Sequence, residues 1–524
     1  MKRLLFAAMA LLMITGCFNS TNQDSETPPP ASEAPISPSP APVEPVKGGT
    51  LKIPMRPPKT LNPLLNEDAS VDAVLKLLFE PMMTLDVHFK PIPNLASFNF
   101  ASDGMSVIIT LRDGLKWSNG SAITSEDIEF SLDTLRNAPD TAVYKNSVLN
   151  ISPVYTIIDE KKIKLQFLQP YSGIAYQFCF PIISKQYYEN QTDPGSEINM
   201  KPMGNGLFVF NSYTNMKTMK LNFNPDTYRK TPYIASIEVQ IVPDQQSELN
   251  AFDQRIIDVV SAEIAQWGRY RNNSNTIINE YSTMYYDFIG FNFNHEALAQ
   301  VGFRRAIAHS INIPDIITNI YLGHASRAST PINPESWLYE PEVVQYDFDL
   351  EIAGALISDE GYDVEPLRIL VNEENDERVK IADILSGNLK KIGVNTIMES
   401  ISYDAYVNKL EHKDFDIFIG GFFLSTAPDL TFAFGSANGA GNVFSYKDET
   451  MNALLSAAFT ATSNAGYLKA VSDLQKHIAK ELPCVSLVFR KSAMLSDNRV
   501  LGDKYPVMFN IFADINQWFI PRDR

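Results

Sequence analysis

Residues 18–47 decide what the rest of the chain can fold into. The stretch is built from Pro, Ser, Thr, Glu and Ala, with Pro28, Pro29 and Pro30 followed by Pro35, Pro38, Pro40, Pro42 and Pro45. Such a segment buries too little apolar area to offset the entropy of ordering its backbone, and proline holds it extended. Folding therefore starts near Lys47, and what precedes it is an address and a tether. The 524 residues suggest three or four domain-sized units at roughly 150 residues each. An apolar share of 45% and a charged share of 20% are globular values, so the body can build a real core.

The address is legible. Lys2 and Arg3 precede an uninterrupted apolar or small run from Leu4 to Ile14, too short to span a bilayer and typical of an export signal. Its end, Ile14-Thr15-Gly16-Cys17, resembles the bacterial lipoprotein processing box. That resemblance implies a signal peptide over residues 1–16, cleavage before Cys17, acylation of the Cys17 thiol, and residues 17–47 as a tether. The alternative is an ordinary secretory signal with an incidental cysteine. Cys179 and Cys484 both sit in apolar surroundings and read as buried free thiols, although export permits a disulfide.

The body mixes helix and strand. Val71, Val74, Leu75 and Leu78 mark one helical face; Thr124 with Asp127 forms a capping-box pattern ahead of Ile128, Leu132 and Leu135. Period-two strands are predicted at Ile163/Leu165/Phe167, Met219/Leu221/Phe223 and Ile237/Val239/Ile241, so residues 203–290 are strand-rich. Helical spacing then returns with Phe303/Ile307/Ile311, with Ala382/Leu385/Leu389/Ile392 before Gly393, and with Leu468/Val471/Ile478/Leu482 before Pro483.

A net charge of −17 argues against nucleic acid as a partner, because a duplex-binding surface needs lysine and arginine to displace counterions. Catalytic patterns are missing: no G-x-S-x-G elbow, no S-x-x-K, no Walker loop. His295-Glu296 starts like a zinc-protease helix but position 299 is Ala, and no two of the six histidines stand four apart. No enzyme activity, no cofactor and no metal are expected. The aromatic clusters Tyr285-Tyr286, Phe291/Phe293 and Phe422-Phe423 read as core, with some members free to line a pocket.

One stretch carries more. Ile92-Pro93-Asn94-Leu95-Ala96, Ser102-Asp103-Gly104 and Thr110-Leu111-Arg112-Asp113-Gly114-Leu115-Lys116-Trp117-Ser118-Asn119-Gly120 resemble the signature of the peptide/nickel-type (family 5) extracellular solute-binding proteins, the capture subunits of ABC importers. Thr60-Leu61-Asn62-Pro63-Leu64, Pro202-Met203-Gly204-Asn205-Gly206-Leu207-Phe208, Asn224-Pro225-Asp226-Thr227-Tyr228, Arg304-Arg305-Ala306-Ile307 and Asp414-Phe415-Asp416-Ile417 match further family segments in order.

The resemblance implies an α/β fold: a two-lobed periplasmic-binding-protein-like clamshell of the cluster C type, with a discontinuous first lobe (48–66, 203–290 and 487–524), an inserted subdomain (67–202) and a second lobe (291–486). In peptide-binding relatives an Asp after a Gly-Trp pair holds the peptide amino terminus. Here the matching stretch is Gly421-Phe422-Phe423-Leu424-Ser425, so Phe422 replaces Trp and Ser425 replaces Asp, with Asp429 the nearest carboxylate. Either Asp429 takes that role or the ligand presents no ammonium there. Phe422, Phe423, Ser425, Asp429, Asn442, Phe444 and Asn62 are the implied ligand-binding residues, and Trp117 is structural.

The implied function is capture of oligopeptides or a similar small solute by a monomer anchored to the membrane through Cys17, with delivery to an ABC permease. A nickel-chelate or sugar receptor of the same fold, or a non-transport signalling or adhesion lipoprotein, are the alternatives.

Overall fold

The computed structural model describes residues 44–359, 361–362, 365–436 and 442–521; Cys17 and its tether lie outside them. The body, from Pro45 onward, is built on three main sheets. The first has the order Thr50–Met55, Ser236–Ile241, Thr218–Phe223, Phe208–Thr214. Its opening pair is parallel, with Leu51 opposite Ile237 and Ile53 opposite Val239, all four buried. The period-two patterns thus point one face inward, as a half-buried sheet requires. Phe223 is the exception to its pattern, at the strand end and 37% exposed.

The second sheet is antiparallel, in the order Ala96–Phe100, Ser106–Leu111, Lys162–Phe167, Ile151–Asp159. Val107, Ile109, Ile163 and Leu165 face the core beneath it. The helix Ser125–Asn137 packs nearby and starts with the expected capping box. Asp127 does more than cap: its carboxylate accepts from Thr124 N at 2.9 Å, Trp117 Nε1 at 3.2 Å and Lys185 N at 2.8 Å. That anchors the buried Trp117 ring, which has the structural place the sequence suggested.

Gly204 and Gly206 explain the Pro202–Phe208 motif. The helix Ala69–Leu78 ends against them, Gly206 N donating to Leu78 O at 2.7 Å. A Cβ on Gly206 would lie 2.6 Å from Leu77 O, so only glycine lets the two backbones approach.

The third sheet is organised by two long antiparallel strands, Thr276–Phe291 and Cys484–Asp497. At one end Val259–Ala262 adds to Cys484–Asp497; at the other Ile417–Phe423 adds to Thr276–Phe291, followed by Leu367–Asn372 and Thr396–Ile401 in parallel. The ladder between the long strands is interrupted between Ser282 and Tyr286.

Core packing follows this layout. One buried cluster runs from Leu51 to Val259 and takes in Met494, Val500, Phe512 and Trp518, so the start and end of the body share a core. Two others flank the far end of the third sheet, one around Ile289, Phe303 and Leu385, one around Phe288, Phe418 and Leu474. The helix Asp376–Lys391 stops before Gly393 at φ +87°, as its sequence predicts. The helix Asn464–Glu481 departs from prediction by one position: Tyr467, Val471, Leu474 and Ile478 are buried, whereas Leu468 is 41% exposed. Tyr467 outcompetes it because the 4-3-4 spacing of those four residues tracks one helix face. Cys179 and Cys484 are both free, and burial pushes each thiol up to about 12.

Candidate functional site

Where Thr276–Phe291 pairs with Ile417–Phe423, Asp287 stands opposite Gly421 and Tyr285 opposite Phe423. Strand alternation puts all four on one face. Asp287 is 1% exposed and binds two guanidiniums: Arg378 Nε and Nη2 donate to Oδ1 at 3.0 and 2.8 Å, and Arg490 Nη2 donates to Oδ1 at 3.0 Å while its Nε reaches Oδ2. Tyr321 Oη donates to Oδ2 at 2.9 Å. Burial opposes ionisation of this carboxyl, but Arg490 and Arg378 outweigh it and hold it below the usual carboxylate range. A Cβ at position 421 would collide with the Arg378 guanidinium and lie 2.7 Å from Asp287 Oδ1, which accounts for the glycine.

Immediately outward, the rings of Tyr285 and Phe423 meet at 4.8 Å and 64°, and they are 49% and 62% exposed. An edge-to-face pair of aromatics left in solvent at a strand end is a ready apolar contact surface. Phe422 points the other way, half-buried, with Phe288 at 4.8 Å and Phe432 at 5.0 Å.

The other sequence-predicted residues separate. Ser425 is exposed and its hydroxyl caps Ala427 N at 3.1 Å. Asp429 is exposed and accepts from Thr431 N at 3.0 Å in a turn. It stands near Tyr171: burial pushes that phenol up to about 12, with the Asp429 charge adding to the rise. Phe444 is fully buried among Phe288, Phe418 and Phe434, which is a core position. Asn442 spends its side chain on backbone, donating to Gly435 O and Tyr446 O and accepting from Tyr446 N. Asn62 is 1% exposed and bonds to Asn199 Oδ1 and Leu64 N, bordering a cavity of about 200 Å³ beside Leu65 and Tyr188. The structure therefore does not bring Asn62, Asn442 or Phe444 together with Phe423. An asparagine before proline and an aromatic in a loop are equally at home in turns and cores, so their side chains went to packing.

Sequence reasoning missed Asp287, Arg378 and Arg490. The signal for Asp287 was available: it is the single charge in the run Tyr285-Tyr286-Asp287-Phe288-Ile289-Gly290-Phe291. Nothing in the sequence marks Arg378 or Arg490 as its partners.

Two cavities lie elsewhere in the body. One of about 400 Å³ takes its wall from Val87 and Phe89, from Ile278–Ser282, from Glu335 and from Lys504–Met508. Phe89 sits at a hairpin tip with φ +61°, yet its ring is 2% exposed and meets Phe509 edge-on at 6.3 Å. The tip is tied down by Trp337 N donating to His88 O at 3.0 Å and by Lys90 lying over the Trp337 ring. Lys504 is 7% exposed, donates to Val500 O at 2.6 Å, and is pushed down to about 8 by burial. A second cavity, of about 470 Å³, shares Val87, Tyr505 and Val507 with the first. Among the described residues no group of three or more His, Cys, Asp and Glu could hold a metal ion, and no helix is long and apolar enough to cross a membrane.

Residues 90–443 match the family model described as bacterial extracellular solute-binding proteins, family 5 Middle. The chain is similar to the oligopeptide-binding protein AppA of Bacillus subtilis (strain 168), 23% identical over 518 residues that cover 91% of this chain and 93% of that one. Its fold is similar to the ABC transporter substrate-binding protein CtaP from Listeria monocytogenes, with a TM-score of 0.76 at 22% identity, covering 90% of this chain and 99% of the other. It is also similar to the unliganded open form of MppA, a periplasmic murein tripeptide-binding protein, with a TM-score of 0.78 at 16% identity over 91% and 97% of the two chains.

Proposed function

The chain belongs to the bacterial extracellular solute-binding proteins of family 5, and from that membership we propose that it captures oligopeptides or a similar small solute and delivers them to the permease of an ABC importer. A protein of this family binds its solute and is not an enzyme. In this reading the body has two lobes, 48–66 with 203–290 and 487–524 forming one and 291–486 the other, with 67–202 inserted. The two chain crossings between the lobes, near Phe291-Asn292 at the end of the strand Thr276–Phe291 and near Val485-Ser486 at the start of the strand Cys484–Asp497, are the hinge. Cys17 carries the lipid, and the protein works as a monomer at the outer face of the membrane.

The observation that carries the reading is the cavity of about 400 Å³, because one wall draws on the hairpin tip, the crossing strand, Glu335 and the C-terminal segment together. A solute there touches parts of the chain that are far apart in sequence. Capture with closure needs that: contacts made on both sides only when the sides are together. In this reading Tyr285 and Phe423 add an exposed apolar face outside that cavity, with Phe422 behind Phe423, and Ser425 and Asp429 are further candidate contacts that do not line it. Extended peptides suit such a site, since strand edges pair with main chain and roomy wet pockets tolerate varied side chains.

Mass spectrometry of the solutes released when the purified protein is unfolded tests the proposal. Short peptides of mixed sequence are expected. A single metal chelate or sugar replaces the ligand class while keeping the transport role, and a protein that neither releases nor binds any small solute removes it.

A further inference from the structure

The larger cavity, of about 470 Å³, takes its walls from residues 72–94, Tyr144, Cys179, Pro181, Arg229 and the C-terminal segment 505–514. Leu75, Phe79 and Met83 supply apolar wall from the start of the body, Val507 and Phe509 from its end. Cys179 adds to it as a neutral thiol, since burial pushes it up to about 12. The volume falls in the range of small-molecule sites, which are mostly apolar and enclose much of what they bind. Val87, Tyr505 and Val507 line both this cavity and the one of about 400 Å³, so the two adjoin, and Val87 and Tyr505 are exposed where they meet.

The charges of the wall are met within it. Asp72 Oδ2 pairs with Lys76 at 2.6 Å, and the Tyr144 hydroxyl donates to the same carboxylate. Lys76 also donates to Phe509 O at 2.7 Å. Glu80 is held by Arg229 at 3.0 Å and by Asn94 Nδ2 at 2.9 Å. Asp86 is taken up by the backbone amides of His88 and Lys90 at 2.8 and 3.0 Å. Asp514 accepts from Gln517 Nε2 at 3.4 Å, and burial raises the pKa of its carboxyl. A charged group entering would shed its water and find these partners already engaged, whereas an uncharged apolar group gains by leaving water.

We propose that this cavity is a specificity pocket that receives one uncharged apolar side chain of the captured solute, aromatic or branched aliphatic, while the rest of the solute lies in the adjoining cavity. The inference rests on the solute-capture reading and deepens it: the cavity beside Glu335 tolerates varied side chains, and this one selects among them. Ala513, half-buried, is the smallest side chain in the wall, so a larger residue there takes up the space the solute would fill.

Calorimetry on the full-length protein compares trialanine, alanyl-phenylalanyl-alanine and alanyl-lysyl-alanine. Ligand-observed NMR titration compares N-acetylphenylalaninamide with N-acetylalaninamide, which carry the side chains without charged termini. The phenylalanyl member of each set is expected to bind at least about tenfold more tightly than the alanyl member, as withdrawal of that ring from water warrants. The lysyl peptide should bind no more tightly than trialanine. Ala513→Phe should bring both phenylalanyl-to-alanyl ratios below about twofold while leaving trialanine affinity unchanged. Ala513→Asp, which adds a charge with little bulk, should lower the ratios likewise and decides the matter if Ala513→Phe folds poorly. Equal or absent binding of the phenylalanyl and alanyl probes, a preferred lysyl peptide, or ratios unchanged in a folded variant at 513 overturns the inference. Trialanine bound with no phenylalanyl preference leaves the capture reading standing and removes only this one. A phenylalaninamide preference lost in Ala513→Phe, with no tripeptide bound at all, does the reverse.

Discussion

Asp287 and Gly421 face each other across the central ladder, and the space that a side chain at 421 would fill is occupied by the Arg378 guanidinium bound to Asp287. Arg490 closes the carboxylate from the other strand. One buried charge therefore ties together both long strands and the start of the helix Asp376–Lys391, directly behind the exposed Tyr285–Phe423 pair.

Removing that charge should be expensive. Asp287→Asn leaves two largely buried guanidiniums without a counter-ion and should cost about 3–5 kcal/mol at neutral pH, read from urea midpoints. Asp287 has a depressed folded pKa, so its contribution is fully present above the unfolded carboxylate value of about 3.9 and is lost as pH falls through the folded value. The gap between wild type and variant should therefore narrow in acid below about pH 4. A gap that stays constant down to pH 2 would contradict the assignment of charge.

Phe89 is a bulky residue held at φ +61° because its ring is buried against Phe509. Phe89→Ala should destabilise by about 3–5 kcal/mol, the usual loss for a buried aromatic. Phe89→Gly loses the same ring but sheds the left-handed penalty, so it should be about 1 kcal/mol less harmful than Phe89→Ala. The reverse order in thermal unfolding would show that the backbone there is not strained.

The exposed aromatic pair should matter for binding and little for folding. Phe423→Ala removes a ring that is 62% exposed, so the melting temperature should hardly move. Affinity for a peptide eluted from the protein should fall about tenfold, or ~1.4 kcal/mol. Asp429→Ala, in an exposed turn near Tyr171, should change affinity by less than about threefold. A much larger loss would place a ligand ammonium at Asp429.

Cys17→Ser should move the protein from the membrane fraction to the soluble fraction of expressing cells and abolish incorporation of labelled fatty acid. Retention on the membrane without label would point to an uncleaved leader as the anchor.

Much of the fold was legible because periodicity reports burial. Val71/Val74/Leu75/Leu78, Ile163/Leu165 and Ile237/Val239 are where their spacing puts them, and Thr124 with Asp127 makes the cap its pattern announces. The site was less legible, since it depends on which distant segments meet. Phe422 and Phe423 are adjacent in sequence, but strand alternation sends the first towards Phe288 and the second into solvent. Phe444 looked like a pocket aromatic and is core, because a loop can fold its ring inward. Asp287 with Arg378 and Arg490 is a product of tertiary contact that one-dimensional spacing does not encode.

The central claim is that two halves joined by the strands Thr276–Phe291 and Cys484–Asp497 close on a solute. Small-angle X-ray scattering of protein stripped of solute, then saturated with its own eluted peptide, tests it most directly. The account predicts a smaller radius of gyration with peptide bound. Superimposable scattering curves, with calorimetry showing the peptide bound, would contradict it.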